Sequence, residues 1–290
     1  MPRYVKTPAI EAKNTEHITA FLSQINYIPF LDILSEINTI VSFTNCFKHH
    51  GIKNIKRRPK DDIFSAGIIG LGCNIGVPKM AQISTRINQN TLRNTVTWYF
   101  SLKNVVAANQ SIIAFINKLL LPDIFIQHKI DKHSSSDGRK VNVAVNCLLA
   151  NKSFKYFGKD SGVSIYTFID ERQMLFYSTV ISASEREAAY VIDGLNNNDV
   201  TKMDIHSTDS HGYTELIFAA MHFFETAFAP RLKNIGKQKI YAFSAKETYE
   251  KKGFKVLPSR IINQNLIQQH WNDILRFMVT IKLKEVYPVN

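Results

Sequence analysis

The feature that most limits the fold is a change of pattern near residue 125. Before it, apolar side chains recur at the 3.6-residue period of helices; after it come short runs of β-branched and aromatic residues separated by two helical stretches. Residues 125–130 lead into a loop holding Asp137, and residues 141–149, 163–169 and 174–181 read as strands. Ser184-Glu185-Arg186-Glu187 opens a helix through Leu195, closed by the polar Asn196-Asn197-Asn198 tract. Residues 202–206 then form a short strand delivering Asp209, and Tyr213 starts a helix with Leu216, Ile217, Ala220, Phe223 and Phe224 on one face. This predicts an α/β region over 125–290, preceded by an all-helical region over 1–124.

In the helical region, Ile18, Phe21, Leu22 and Ile25 mark one amphipathic stretch. Pro29 opens another with Leu34, Ile37 and Val41, since proline is suited to a helix start. Asp61 and Asp62 begin a Gly-rich helical run, Pro78 opens a short helix, and Val105, Ala108, Ile112, Phe115, Ile116 and Leu119 form a further stripe. Such stripes are core-packing faces.

Charge narrows the partners. Lys and Arg total 36 against 24 Asp and Glu, a formal charge of +12, which calls for an anionic partner, nucleic acid first. From Ile63 to Pro122 there is no Asp or Glu, where the chain's average acidity would put about five. Lys79, Arg86, Arg93 and Lys103 lie in that stretch, so repulsion toward phosphate is absent along it. Residues 48–60, with Lys53, Lys56, Arg57 and Arg58, extend the bias; Arg139, Arg231 and Lys233 are further candidates for phosphate contact. Three dispersed cysteines, Cys46, Cys73 and Cys147, fit a reducing cytoplasm and offer no zinc spacing. The N-terminus has no signal-peptide pattern and no apolar stretch reaches about 20 residues, so a membrane location is not expected.

The order three strands, helix, strand, helix, strand is that of a ribonuclease H-like mixed sheet with flanking helices. Its first and fourth strands are neighbours, so Asp137 and Asp209, 72 positions apart in sequence, are predicted to approach within about 8 Å. Carboxylates are the ligands that Mg²⁺ prefers, and strand ends are where open α/β sheets place ligands. Two metal ions held there can activate an attacking oxygen and stabilise a leaving one at a phosphodiester, but two aspartates alone are too few acids for that. The alternative for each aspartate is turn or capping chemistry. His133, His206 and His211 flank the pair and read as hydrogen-bonding wall residues rather than ligands, because hard Mg²⁺ favours oxygen.

Five segments then carry a family resemblance. Phe64-Ser65-Ala66-Gly67-Ile68-Ile69-Gly70-Leu71-Gly72-Cys73-Asn74-Ile75-Gly76, Asn94-Thr95-Val96-Thr97-Trp98-Tyr99-Phe100-Ser101, Ser135-Ser136-Asp137-Gly138, Thr208-Asp209-Ser210-His211-Gly212-Tyr213-Thr214 and Phe228-Ala229-Pro230-Arg231 occur in order across nearly the whole chain. Together they resemble the transposases of class II replicative transposons, the TnpA family of the DDE superfamily. Gly70-x-Gly72 lacks the spacing of a dinucleotide loop and lies in a helical region.

The resemblance implies Mg²⁺-dependent (or Mn²⁺-dependent) DNA cleavage at transposon ends and strand transfer into target DNA. Asp137 and Asp209 match the first two acids of the family's triad. The third, a Glu on a later helix, has no counterpart: Glu247, Glu250 and Glu285 stand outside that motif, Gln269-His270-Trp271-Asn272-Asp273-Ile274-Leu275-Arg276 still resembles the family, and the closing Glu285-Val286-Tyr287-Pro288-Val289-Asn290 departs from it. A long N-terminal end-recognition region of the family is also missing, so the chain reads as the middle and catalytic portion, truncated at both sides, with weak metal binding. The alternative is a catalytically inactive remnant that binds DNA, self-associates or associates with an intact transposase. A third possibility is a freestanding nuclease completed by Glu247 or Glu250. The bacterial cytoplasm, at the nucleoid, is the location such a protein implies.

Overall fold

The computed structural model describes residues 28–51, 57–126, 131–144, 147–198 and 202–286. The stretch expected around Ile18, Phe21, Leu22 and Ile25, the basic residues Lys53 and Lys56, and most of the expected 125–130 strand lie outside the described residues. The chain separates into two compact units, residues 1–112 and 113–290.

The first unit is helical. Helix α1 (Phe30–Val41) starts directly after Pro29 and ends where Ser42 turns left-handed at φ 56°. Helices α2 (Asp61–Gly72), α3 (Val77–Ile83), α4 (Gln89–Tyr99) and α5 (Leu102–Ile116) follow. Asn88 caps α4, its side chain accepting from the N–H groups of Asn90 and Thr91. Leu34, Phe43, Phe47, Phe64, Tyr99 and Ala108 form the core. The glycines of α2 serve packing: a Cβ on Gly67 would lie 2.7 Å from the Phe100 ring, and one on Gly70 would lie 3.2 Å from Met80. The Gly-rich motif is thus a close helix contact rather than a phosphate loop.

The second unit is built on a mixed sheet. Its strands are β1 (His133–Asn142), β2 (Asn151–Lys152), β3 (Ser161–Asp170), β4 (Leu175–Ser182), β5 (Ile205–Thr208) and β6 (Ala227–Phe228). The short helix α6 (Phe154–Phe157) lies between β2 and β3, α7 (Ala188–Asn196) between β4 and β5, and α8 (Glu215–Phe223) between β5 and β6. β3 is the hub of the antiparallel part, pairing with β1, β2 and β4, while β5 runs parallel to β1 and β6 parallel to β5. The path β4-β3-β1-β5-β6 is the ribonuclease H-like order expected from the sequence.

Tyr166, Phe168, Ile181, Val191, Ile217 and Met221 fill the core, joined by Met278 and Ile281 from the C-terminal helix Trp271–Lys282. Each such side chain contributes about 1.5–3 kcal/mol on burial. α7 sits so close to the sheet that a Cβ on Gly194 would lie 2.1 Å from the Phe168 ring. The C-terminal part adds a parallel pair, β7 (Tyr241–Ala242) and β8 (Arg260–Ile261), around α9 (Lys246–Lys251), then α10 (Gln264–Gln269) and α11 (Trp271–Lys282).

Two expectations are corrected. Asp137 lies within strand β1 rather than in a loop before it. The Ser134-Ser135-Ser136 run looks like a turn, yet Ser134 and Ser136 point inward and find buried hydrogen-bond partners, which makes a strand of small polar residues tolerable. The expected strand over 141–149 ends at Asn142, because the β3 ladder stops at Gly162; beyond it Leu148 is fully exposed.

Candidate active site

The parallel β1–β5 ladder pairs His133 with Ile205 and ends with Ser136 opposite Thr208. Asp137 and Asp209 are the next residues on each strand, so the register that buries the sheet core also delivers the two acids side by side. Asp209 is held in a turn, its Oδ1 accepting from the N–H groups of His211 (2.8 Å) and Gly212 (3.2 Å). That turn is close: a Cβ on Gly212 would meet Thr208 at 2.7 Å. Helix α8 starts three residues on, capped by the Thr214 hydroxyl. Asp137 Oδ1 accepts from the N–H of Gly138 at 2.8 Å.

A third acid joins them. One carboxylate oxygen each from Asp137, Glu187 and Asp209 lie within 4.8 Å of one another. This corrects the expectation of a two-carboxylate site. Glu187 stands at the N-cap of α7, but its side chain makes no capping bond. It is only 8% exposed and is turned over Gly138, where a Cβ would fall 2.0 Å from its Oε1. Burial, then the charge of Asp209, hold the Glu187 carboxyl above its usual pKa, with Lys140 opposing. Sequence reasoning missed it because an acidic residue in a first helical turn is commonplace. The available signal was the glycine after Asp137, which leaves room beside the strand. Glu247 and Glu250 are exposed on α9, Glu250 paired with Lys246, and among the described residues neither joins an acidic cluster.

Below the acids lies a buried polar relay. The His206 ring is fully buried, with Nδ1 2.8 Å from Ser134 Oγ and Nε2 2.9 Å from Ser136 Oγ; Ser136 Oγ is in turn 2.6 Å from the Tyr166 hydroxyl. Burial and the neighbouring His133 push the His206 pKa down to about 3, so the ring is neutral. With both nitrogens engaged by hydroxyls it has no lone pair for a metal. His133 bonds Ser207 at 2.8 Å, while His211 is exposed at the cavity wall.

The acids open onto a cavity of about 780 Å³ that runs past Lys140, Lys152, Tyr156 and Arg186. All seven basic residues singled out for phosphate contact, Lys79, Arg86, Arg93, Lys103, Arg139, Arg231 and Lys233, have exposed side chains. Among the described residues no helix is long and apolar enough to cross a membrane.

Such a sheet, with acids from adjacent parallel strands and a helix start sharing one cation-sized space, defines an α/β domain of the ribonuclease H-like class. Residues 32–290 match the family described as Tn3 transposase DDE domain, and the chain belongs to that family. Similar proteins include the transposase for transposon Tn2501 of Escherichia coli, 31% identical over 255 residues, or 87% of this chain and 25% of that protein. The transposase for transposon Tn1546 of Enterococcus faecium is 27% identical over 88% of this chain and 25% of its own length. That for transposon Tn501 of Pseudomonas aeruginosa is 25% identical over 96% and 28%. The chain therefore spans about a quarter of the length of these relatives. A piggyBac transposase synaptic complex with hairpin DNA matches at a TM-score of 0.33 and 10% identity, over 69% of this chain and 48% of that one; the fold assignment rests on the strand order instead.

Proposed function

We propose that this chain carries a divalent-metal centre for cutting and transferring DNA strands, with Asp137, Asp209 and Glu187 as the metal-binding carboxylates. The observation that supports it is their convergence within 4.8 Å. Three carboxylates so close repel one another, and an all-oxygen set of this kind suits Mg²⁺ or Mn²⁺. When bound, the metal would supply Lewis-acid stabilisation of the charge that develops on phosphodiester oxygens.

The chain's own residues prepare that step. Backbone N–H groups fix the aspartates by their Oδ1 atoms. The β1–β5 register fixes their spacing, and Lys140 offsets part of the negative charge around Glu187. The exposed basic residues from Lys79 to Lys233 would hold DNA phosphates, with transposon ends and target DNA as the substrates the family suggests. Self-association or pairing with an intact transposase belongs to the same reading.

The test uses the 290-residue chain, a DNA duplex carrying a transposon end, and Mg²⁺ or Mn²⁺. Metal-dependent cleavage or joining that disappears in Asp137→Ala, Asp209→Ala and Glu187→Gln supports the proposal. DNA binding with no chemistry under any metal would leave the inactive DNA-binding remnant. That outcome is the second reading.

A further inference from the structure

We infer that the segment from Asn151 to Phe157 is a seat for an unpaired DNA strand, stacking one base on Tyr156 and placing the neighbouring phosphate between Lys140 and Lys152. This rests on the proposed reading of the acids as a DNA-processing centre and names the form of DNA that centre takes.

The seat is rigid where it needs to be. β2 pairs Asn151 and Lys152 with Gly162 and Ser161 at the start of β3. The Asn151 amide donates to Ser182 Oγ (3.0 Å) and Ser184 Oγ (2.7 Å), tying the segment to the strand end just before Glu187. Phe157 is buried with its ring against Gly162, where a Cβ would intrude to 2.3 Å. Its neighbour Tyr156 is instead 45% exposed and lines the same cavity as the three acids.

The chemistry of the two ends differs. At one end stand Asp137, Glu187 and Asp209; at the other the Nζ atoms of Lys140 and Lys155 lie 4.5 and 4.9 Å from the Tyr156 ring centroid. An exposed ring with ammonium groups over it is a cation–π arrangement that water weakens. A nucleic-acid strand can replace it at little cost, the base taking the ring face and the lysines moving to phosphate. Stacking platforms beside positive charge are how proteins hold unpaired strands without reading sequence. A cavity of about 780 Å³ falls in the roughly 300–1,000 Å³ range of sites for small-molecule-sized groups, which is room for one nucleotide beside the ring.

The experiment measures binding of the 290-residue chain in Ca²⁺ to a blunt DNA duplex and to the same duplex with an unpaired tail holding 2-aminopurine. The expected result is tighter binding of the tailed DNA with quenched 2-aminopurine fluorescence. Tyr156→Ala should lose the quench and weaken tailed-DNA binding roughly 5- to 100-fold, while Tyr156→Phe keeps both. Lys152→Ala should lower the salt slope for the tailed DNA by about 0.7 and leave that for the blunt duplex unchanged. Equal affinity for the two DNAs, a quench that survives Tyr156→Ala, or a preference for an RNA tail would overturn the inference. Cleavage without the quench sinks this seat alone; the quench without metal-dependent cleavage in Mg²⁺ sinks the proposed reaction alone.

Discussion

Glu187 Oε1 lies where the β-carbon of residue 138 would be, 2.0 Å from that point, and residue 138 is glycine. The space beside Asp137 is therefore left open by one missing methyl group, and the third acid occupies it.

Gly138→Ala should consequently damage the site more than the fold. The carboxyl end of Glu187 must move and the Ser164 hydroxyl, 3.1 Å from the new methyl, must give slightly, so the melting temperature should change little. Displacing a carboxylate from the cluster should lower divalent-ion affinity about 10- to 100-fold, in the range seen when groups that orient metal ligands are lost. Titration with Mn²⁺ followed by electron paramagnetic resonance, alongside thermal melting, reads both quantities. A large fall in melting temperature with unchanged Mn²⁺ affinity would show that Gly138 serves the sheet instead.

Gly194→Ala should do the reverse. Its β-carbon would meet the Phe168 ring, fully buried in the core, at 2.1 Å. Overpacking of this kind costs about 1–3 kcal/mol, which urea unfolding at fixed pH would register. A variant as stable as the parent would mean that α7 is free to shift.

The His206 relay makes stability sensitive to acid. The folded protein holds the ring neutral down to about pH 3, while the unfolded chain protonates it near 6.5. Its contribution is therefore fully present above about pH 6.5 and is lost as the pH falls toward 3, because the unfolded state then binds the extra proton. The slope from this group should reach at most about 1.4 kcal/mol per pH unit. Denaturant melts between pH 7 and 4 on the parent and on His206→Asn should show the slope reduced in the variant by up to one proton; equal slopes would place the acid sensitivity elsewhere.

Arg86 and Arg93 are both exposed within the acid-free stretch. If they meet DNA phosphates, removing each should lower the dependence of log affinity on log salt by about 0.9 for duplex DNA. Fluorescence anisotropy from low to moderate salt on Arg86→Ala and Arg93→Ala measures this. Unchanged slopes would remove both from the DNA-contacting surface.

The legibility of this chain follows the physics of each segment. β3 and β4 were visible because Val163, Phe168, Phe176 and Ile181 carry a buried-strand pattern, and α7 because its polar opening and apolar body follow helical rules. β1 was not, since Ser134 and Ser136 look like turn residues until His206 and Tyr166 arrive from other strands to satisfy them. The aspartates were legible as a pair through motif and strand order. Glu187 was hidden because its neighbours in space, Gly138 and Asp209, are far from it in the chain, and its own local sequence reads as an ordinary helix start.

The β1–β5 ladder also decides when the three acids can first meet. Synthesis delivers Asp137 well before Ile205–Thr208 exists, and a parallel strand pair closes only after the long intervening segment has been made and folded. A nascent chain that has not yet added β5 holds Asp137 and Glu187 without Asp209, so the three-carboxylate cluster is incomplete. On the proposed reading of the acids, any capacity to nick DNA would arise only once β5 has closed against β1 and brought Asp209 to the other two carboxylates.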